Sequence, residues 1–245
     1  MDVKTSNAGE NINKSGLVSS KQNGVHPGLD TNVRKHLDTK WRQPMHAPTV
    51  DLFRQLEQHE AFSTRQPLIL DSGCGTGKST RWLAERYPHH LVIGADRSLS
   101  RLARSGYTSG LHYSENWMLM RAELTTFWQL LLNAGISPEK HFLFYPNPWP
   151  KPAHLSRRWH GHPVFPQLLS LGGEIELRCN WRIYAEEFAR AAMVATRENI
   201  KVQTIKPSTG VSPFEQKYIE RGQQLFSVVI PAGFSHTFRQ QRLNQ

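Results

Sequence analysis

Short apolar runs alternate with longer amphipathic stretches from Pro67 almost to the end of the chain. The runs are Leu68–Leu70, Leu91–Asp96, Trp117–Arg121, His141–Tyr145, Glu174–Cys179, Ile200–Ile205 and Leu225–Ile230. Each is too short for a helix and is rich in β-branched, aromatic or leucine side chains, so each predicts a strand. The stretches between them, Lys78–Arg86, Leu99–Ser105, Leu124–Ala134, Pro163–Leu171 and Tyr184–Arg197, predict helices. Strands separated by helices imply an α/β fold, a mostly parallel sheet covered on both faces. No helix-length periodic segment separates the last two runs, which suits an antiparallel final strand in a sheet of seven. Upstream, Leu52, Phe53 and Leu56 mark an amphipathic helix over Val50–Glu60 that leads into the sheet. Residues 1 to about 29 are polar and almost free of large apolar side chains, which predicts disorder. The expected organisation is a disordered polar tail (1–30), a basic arm and lead-in helix (31–65), the folded domain (66–235) and a basic C-terminal tail (236–245).

Composition narrows the partners. The chain has 245 residues, 38% of them hydrophobic, and a formal charge of +10. That balance favours a polyanion, RNA or DNA before a membrane, and RNA could order the N-terminal tail. From Asn32 to Pro48, Arg34, Lys35, Lys40 and Arg42 surround Leu37, Trp41 and Pro44, as a basic arm at the mouth of a site or as a solvated linker. No run approaches the roughly 18 apolar residues of a membrane span, and no apolar signal core begins the chain. The two cysteines, Cys74 and Cys179, make no disulfide framework and suit a reducing cytoplasm. With no thiolate-activating pair beside them, they read as small buried residues. The histidines show no zinc spacing, so no metal is expected.

The chemistry is concentrated in Asp71-Ser72-Gly73-Cys74-Gly75-Thr76-Gly77, between the first strand and the first helix of the alternating region. Three alternate glycines allow a tight turn and close backbone approach to a ligand. Asp96 ends the second strand roughly 20 residues past the loop, where a ribose diol needs an acceptor. The loop is not a phosphate-binding P-loop, because Ser72 stands where that motif needs its first glycine. It also departs from G-x-G-x-x-G. Acidic-x-Gly-x-Gly-x-Gly instead resembles the first motif of the Rossmann-like class I S-adenosylmethionine (SAM) methyltransferases, which implies that fold, with Asp71, Gly73, Gly75, Gly77, Asp96 and Ala122 around the cofactor.

The fourth strand ends in Pro146-Asn147-Pro148-Trp149-Pro150, a stiff loop beyond the carboxyl end of the sheet. Asn147 is placed to aim its amide at the reacting centre, and Trp149 offers a flat face to a base. Lys151, His154, Arg157 and Arg158 follow, cations interleaved with aromatics as phosphate contacts require. Tyr145 to Lys151 with His154, Arg157 and Arg158, then Gly172-Gly173 through Asn180, Trp181 and Tyr184-Ala185, then Ser212-Pro213-Phe214-Glu215 with Gly222, together resemble the signature of the bacterial tRNA (guanine-N7-)-methyltransferases. The likeness spans roughly residues 26 to 232. It implies a SAM-dependent enzyme acting on tRNA in the cytoplasm as a monomer or weak dimer. It also implies Asn147 and Glu215 at the guanine, and Trp149, Lys151, His154, Arg157, Arg158, Asn180, Ser212 and Phe214 in the substrate site. The chain departs from that signature where Asn147 and Asn180 replace aspartates, where Arg121-Ala122-Glu123 replaces an Asp-Ala pair, and where Ser212 replaces a threonine. Two other readings stand beside it. One is a SAM methyltransferase acting on another RNA or on an amino group, since Asn147-Pro148-Trp149 resembles the Asn-Pro-Pro-aromatic loop of amino-group methylases. The other is a catalytically weak RNA-binding relative.

Overall fold

A computed structural model describes residues 17–64 and 66–233. The expected C-terminal tail and the first sixteen residues lie outside the described residues. Among the described residues eight strands, β1 (Leu68–Ser72), β2 (Leu91–Asp96), β3 (Leu111–Ser114), β4 (Trp117–Arg121), β5 (Lys140–Phe144), β6 (Glu174–Cys179), β7 (Val202–Ile205) and β8 (Leu225–Ile230), form one sheet. Its order is β3-β4-β2-β1-β5-β6-β8-β7. From β4 to β6 all pairs are parallel, while β8 runs antiparallel to both β6 and β7. This is the mostly parallel sheet with an antiparallel last strand that the strand–helix alternation predicted. The correction is β3, an eighth strand at the edge of the sheet, paired antiparallel to β4.

The helices are α1 (Leu29–Asp38), α2 (Ala47–Gln58), α3 (Glu60–Ser63), α4 (Lys78–Arg86), α5 (Leu99–Leu102), α6 (Leu124–Asn133), α7 (Phe165–Ser170), α8 (Arg182–Thr196) and α9 (Pro213–Glu220). Strands β1 and β2 are buried along their whole length, which is why they read as unbroken apolar runs. Alternate side chains serve opposite faces. Leu68, Leu70, Leu91 and Ile93 join the larger core, with Leu56 of α2, Phe127 of α6, Leu168 of α7 and Phe188 of α8. Ile69 and Val92 pack with Leu83 and Ala84 of α4 on the other face.

Two expectations change. Residues 17–28, expected as part of a disordered tail, pack against the body: Ser20 and Gln22 hydrogen-bond to groups more than a hundred residues away. Helix α1 follows at once and buries Leu29 and Val33 against α8, where Asp30 pairs with Arg190. The segment between the last two strands, in which no helix was expected, contains the eight-residue α9.

Candidate active site

The sheet order reverses between β1 and β5. From β1 the chain moves outward through β2 and β4, then crosses back to β5 and β6. The crevice beyond the carboxyl ends of β1 and β5 is therefore the topological switch point, where open α/β sheets take ligands. The glycine loop follows β1 and the proline-rich loop follows β5, so the two motifs meet there. A cavity of about 740 Å³ lies at the opposite end, lined by Leu68, Leu91, Ser137 and Glu139 among others. It is remote from both loops.

Gly73, Gly75 and Gly77 all have positive φ. The loop is bound to the end of β2: Gly73 N and Cys74 N donate to Ala95 O at 2.8 and 3.2 Å, and Gly75 N donates to Asp96 Oδ2 at 3.0 Å. A Cβ at Gly77 would lie 2.7 Å from Leu119, so this glycine serves packing. At Gly73 and Gly75 a Cβ would meet nothing within 4 Å, which leaves their backbone open to a ligand. Asp96 is buried, and its Oδ1 accepts from Ser98 N at 2.7 Å. Its carboxylate lies at the strand end that a ribose would approach, also 3.5 Å from Arg101. Ala122 is buried after β4 and donates its N–H to Asp96 O. These positions fit SAM.

Asp71 is buried and anchored to α4. Its Oδ2 accepts from Ser79 Oγ and Thr80 Oγ1, at 2.6 and 2.8 Å, and so ties β1 to the first turn of α4. Its Oδ1 has no hydrogen-bond partner among the described residues. Burial raises the carboxyl to about 6, against the two hydroxyl bonds that lower it. Both cysteines are buried, and burial raises their thiols, Cys179 to about 12.

Asn147 is exposed, and its Oδ1 accepts from Trp149 N at 3.3 Å, closing a local turn. Trp149 itself has φ of 45°, a strained value for a bulky residue. Arg157 lies over the Trp149 ring at 4.9 Å, and His154 meets it edge-on at 5.6 Å. Lys151 and Arg157 are exposed beside them. These four side chains form one basic and aromatic surface beside the proline loop.

Arg158 is a correction. Expected on RNA backbone, it is fully buried. Its guanidinium donates to Trp149 O, Lys151 O, Gln22 Oε1 and Glu187 Oε2, and lies 4.9 Å from the Trp181 ring. It has no face left for a phosphate.

Ser212 and Glu215 are corrected in the same way. Ser212 is the N-cap of α9, accepting from Glu215 N at 3.2 Å. Glu215 is fully buried, with Oε1 taking Tyr145 Oη and Arg178 Nη1 and Oε2 taking Val211 N. The pair is a variant capping box that fixes Tyr145, just before the proline loop. Phe214 by contrast is 45% exposed and stacks on Tyr218, 6.4 Å between centroids, which in turn packs on Tyr145. Asn180, at the end of β6, donates to Gln223 Oε1.

The basic arm also has a position. Trp41 packs edge-on against His162 at 5.1 Å. Five residues on, His46 N donates to Thr126 Oγ1 beside the end of β4. The arm thus crosses the carboxyl side of the sheet with Lys40 and Arg42 exposed. Sequence reasoning missed Glu187, Gln22 and Arg178. Glu187 left a trace: with Tyr184, Phe188 and Ala191 it lies on the apolar stripe of α8, where a carboxylate must have dedicated partners.

Residues 65–228 match a family profile described as "Putative methyltransferase". The tRNA (guanine-N(7)-)-methyltransferase of Acinetobacter baylyi is 26% identical over 161 residues, 64% of this chain and 63% of that protein. The chain thus spans just under two thirds of that relative. The protein of the same name from Alkaliphilus oremlandii is 24% identical over 204 residues, 80% of this chain and 94% of its own. The solved "Structure of an Antibiotic Related Methyltransferase" has a TM-score of 0.48 at 13% identity, covering 80% of this chain and 98% of that one. With two thirds of its length inside the family profile, the chain belongs to this methyltransferase family, as a divergent relative of the tRNA (guanine-N(7)-)-methyltransferases.

Proposed function

We propose that the protein is a SAM-dependent methyltransferase that modifies N7 of a guanine in tRNA. The observation that carries this reading is the meeting of two loops at the switch point. One exposes the glycine backbone of Gly73 and Gly75 near the Asp96 carboxylate; the other presents Asn147 and Trp149 beside Lys151, His154 and Arg157. The bound cofactor supplies an electrophilic methyl on a sulfonium. Guanine N7 already carries a free lone pair, so no general base is needed and the protein's task is alignment. Trp149 stacks on the base, Asn147 accepts from an N–H of its Watson–Crick edge, and Lys151, His154 and Arg157 hold the backbone. The Tyr145–Glu215–Arg178 network keeps the loop in position without touching the base.

The activity for which the relatives are named supports this substrate, and the formal charge of +10 supports a polyanionic one. The test is methyl transfer from labelled SAM offered together with tRNA and with a protein extract. Label in RNA recovered as 7-methylguanosine upholds the reading; label in protein alone overturns it in favour of an amino-group acceptor.

A further inference from the structure

The loop that carries Asn147 has an unusual constraint. Pro146, Pro148, Pro150 and Pro152 have no N–H, so the segment can be held mainly through its carbonyls. Three consecutive carbonyls are held. Arg158 Nε and Nη2 donate to Trp149 O at 3.2 and 3.1 Å, and Nη2 reaches Lys151 O at 3.3 Å. The one between them, Pro150 O, accepts from Ser20 Oγ at 2.5 Å. The strained φ of Trp149 persists only where its surroundings over-determine it, and these bonds do so.

The same N-terminal segment also orients Arg158. Gln22 Oε1 accepts from Arg158 Nη2 at 3.0 Å. Gln22 Nε2 donates to Glu187 Oε1, which also accepts from His26 N at 2.9 Å. The other oxygen, Oε2, takes Arg158 Nη1 and His160 Nε2. Glu187 is fully buried, and its two oxygens take four donors from two separate pieces of chain, joining both to α8. One piece is residues 20–28, one is the segment after the proline loop, and Glu187 itself stands on α8.

We infer that residues 20–26 form a strap that positions the Asn147–Trp149 loop, with Ser20 and Gln22 as positioning residues and Glu187 as the buried anchor. The inference deepens the guanine-methylation reading and rests on it only for its kinetic consequence. With the strap bound, Asn147 and Trp149 are held in the orientation a base must meet. With it released, Pro150 O loses its donor and Arg158 loses the acceptor that turns Nη2 toward the loop. Cofactor affinity should not change, because the glycine loop and Asp96 make none of these contacts.

The test is the double variant Ser20→Ala/Gln22→Ala in the full chain. Both side chains are only part-buried, so the fold should survive. Amide exchange is read at Trp149, His154 and Arg158, and methyl transfer is read as kcat and KM for tRNA. The strap predicts about tenfold faster exchange at those amides, with exchange at β1 and β2 unchanged. It also predicts about a tenfold lower kcat, an unchanged KM and SAM binding within twofold of the parent. Gln22→Met, which keeps the stem but not the amide, should reproduce most of the Gln22 contribution. Unchanged exchange at Trp149 in the double variant overturns the strap. Exchange is read without substrate, so a parent that fails to methylate tRNA would refute the functional reading while leaving the strap to be decided on exchange alone.

Discussion

Asn147→Asp probes the role of the loop most sharply. The side chain is exposed, and its only hydrogen bond described is from Trp149 N to Oδ1 at 3.3 Å. A carboxylate offers the same oxygen in the same place, so the turn and the position of Trp149 are kept. The change is electrostatic: one amide donor is lost and a negative charge appears beside the exposed Lys151 and Arg157. As the methyl arrives at N7 the guanine ring becomes cationic and its N–H groups become stronger donors. A hydrogen bond to a charged partner contributes about 1.5–3 kcal/mol, against roughly 0.5–1.5 for a neutral one. The difference of about 1–1.5 kcal/mol corresponds to a rate gain of roughly five- to tenfold if it is realised in the transition state. The assay is single-turnover methyl transfer to tRNA at saturating SAM, with thermal stability and SAM affinity measured on the same preparation. Equal or higher activity agrees with the reasoning. A drop of tenfold or more, with stability and SAM affinity intact, would refute it, because the amide donor itself would then be doing chemistry the guanine-N7 reading does not contain.

Other substitutions separate the fold from the site. Gly77→Ala should destabilise the chain by about 1–3 kcal/mol, since it combines a positive φ with a 2.7 Å contact to Leu119, whereas Gly75→Ala should fold and lose SAM affinity; calorimetry and thermal melts distinguish the two. Arg157→Ala should leave the melting temperature unchanged and lower the salt slope of tRNA binding by about one, while Arg158→Ala should cost about 3–5 kcal/mol by stranding the buried Glu187 carboxylate. Asp71 is raised from 3.8 to about 6 by burial, so between those values the folded chain holds a proton the unfolded chain has released, and stability falls as pH rises through that window. Asp71→Asn should flatten that slope and raise stability at pH 7 by about 1–3 kcal/mol, as denaturant titrations at several pH values would show. Glu187 behaves oppositely: burial alone would raise it, but His160 and Arg158 hold it at about 2, so its contribution is complete above 4.5 and is lost as pH falls toward 2.

Elements buried on both faces were legible because burial dictates their composition: β1 and β2 carry continuous apolar runs bounded by turn residues. Strand β3 was not, because Leu111–Ser114 is half-exposed at an edge and pairs only with β4. Helix α9 was hidden because Glu215 is the only buried side chain in its eight residues, so it lacks an apolar stripe. Residues 17–28 look disordered by composition because their packing is polar, through Ser20, Gln22 and the backbone of His26 rather than through apolar burial. The two loop motifs fall together at the switch point of the sheet, while the positions of their residues divide by burial. Arg157 and Arg158 are adjacent and chemically identical, yet one covers Trp149 in the open and the other is enclosed with Glu187. A residue string gives the spacing of cations but not which of two neighbours turns inward.

The most direct measurement is transfer of labelled methyl from SAM to bulk tRNA lacking 7-methylguanosine, followed by digestion and mass spectrometry of the nucleosides. The account predicts 7-methylguanosine as the labelled product. Label in any other nucleoside, or none in RNA while SAM binds, would contradict it.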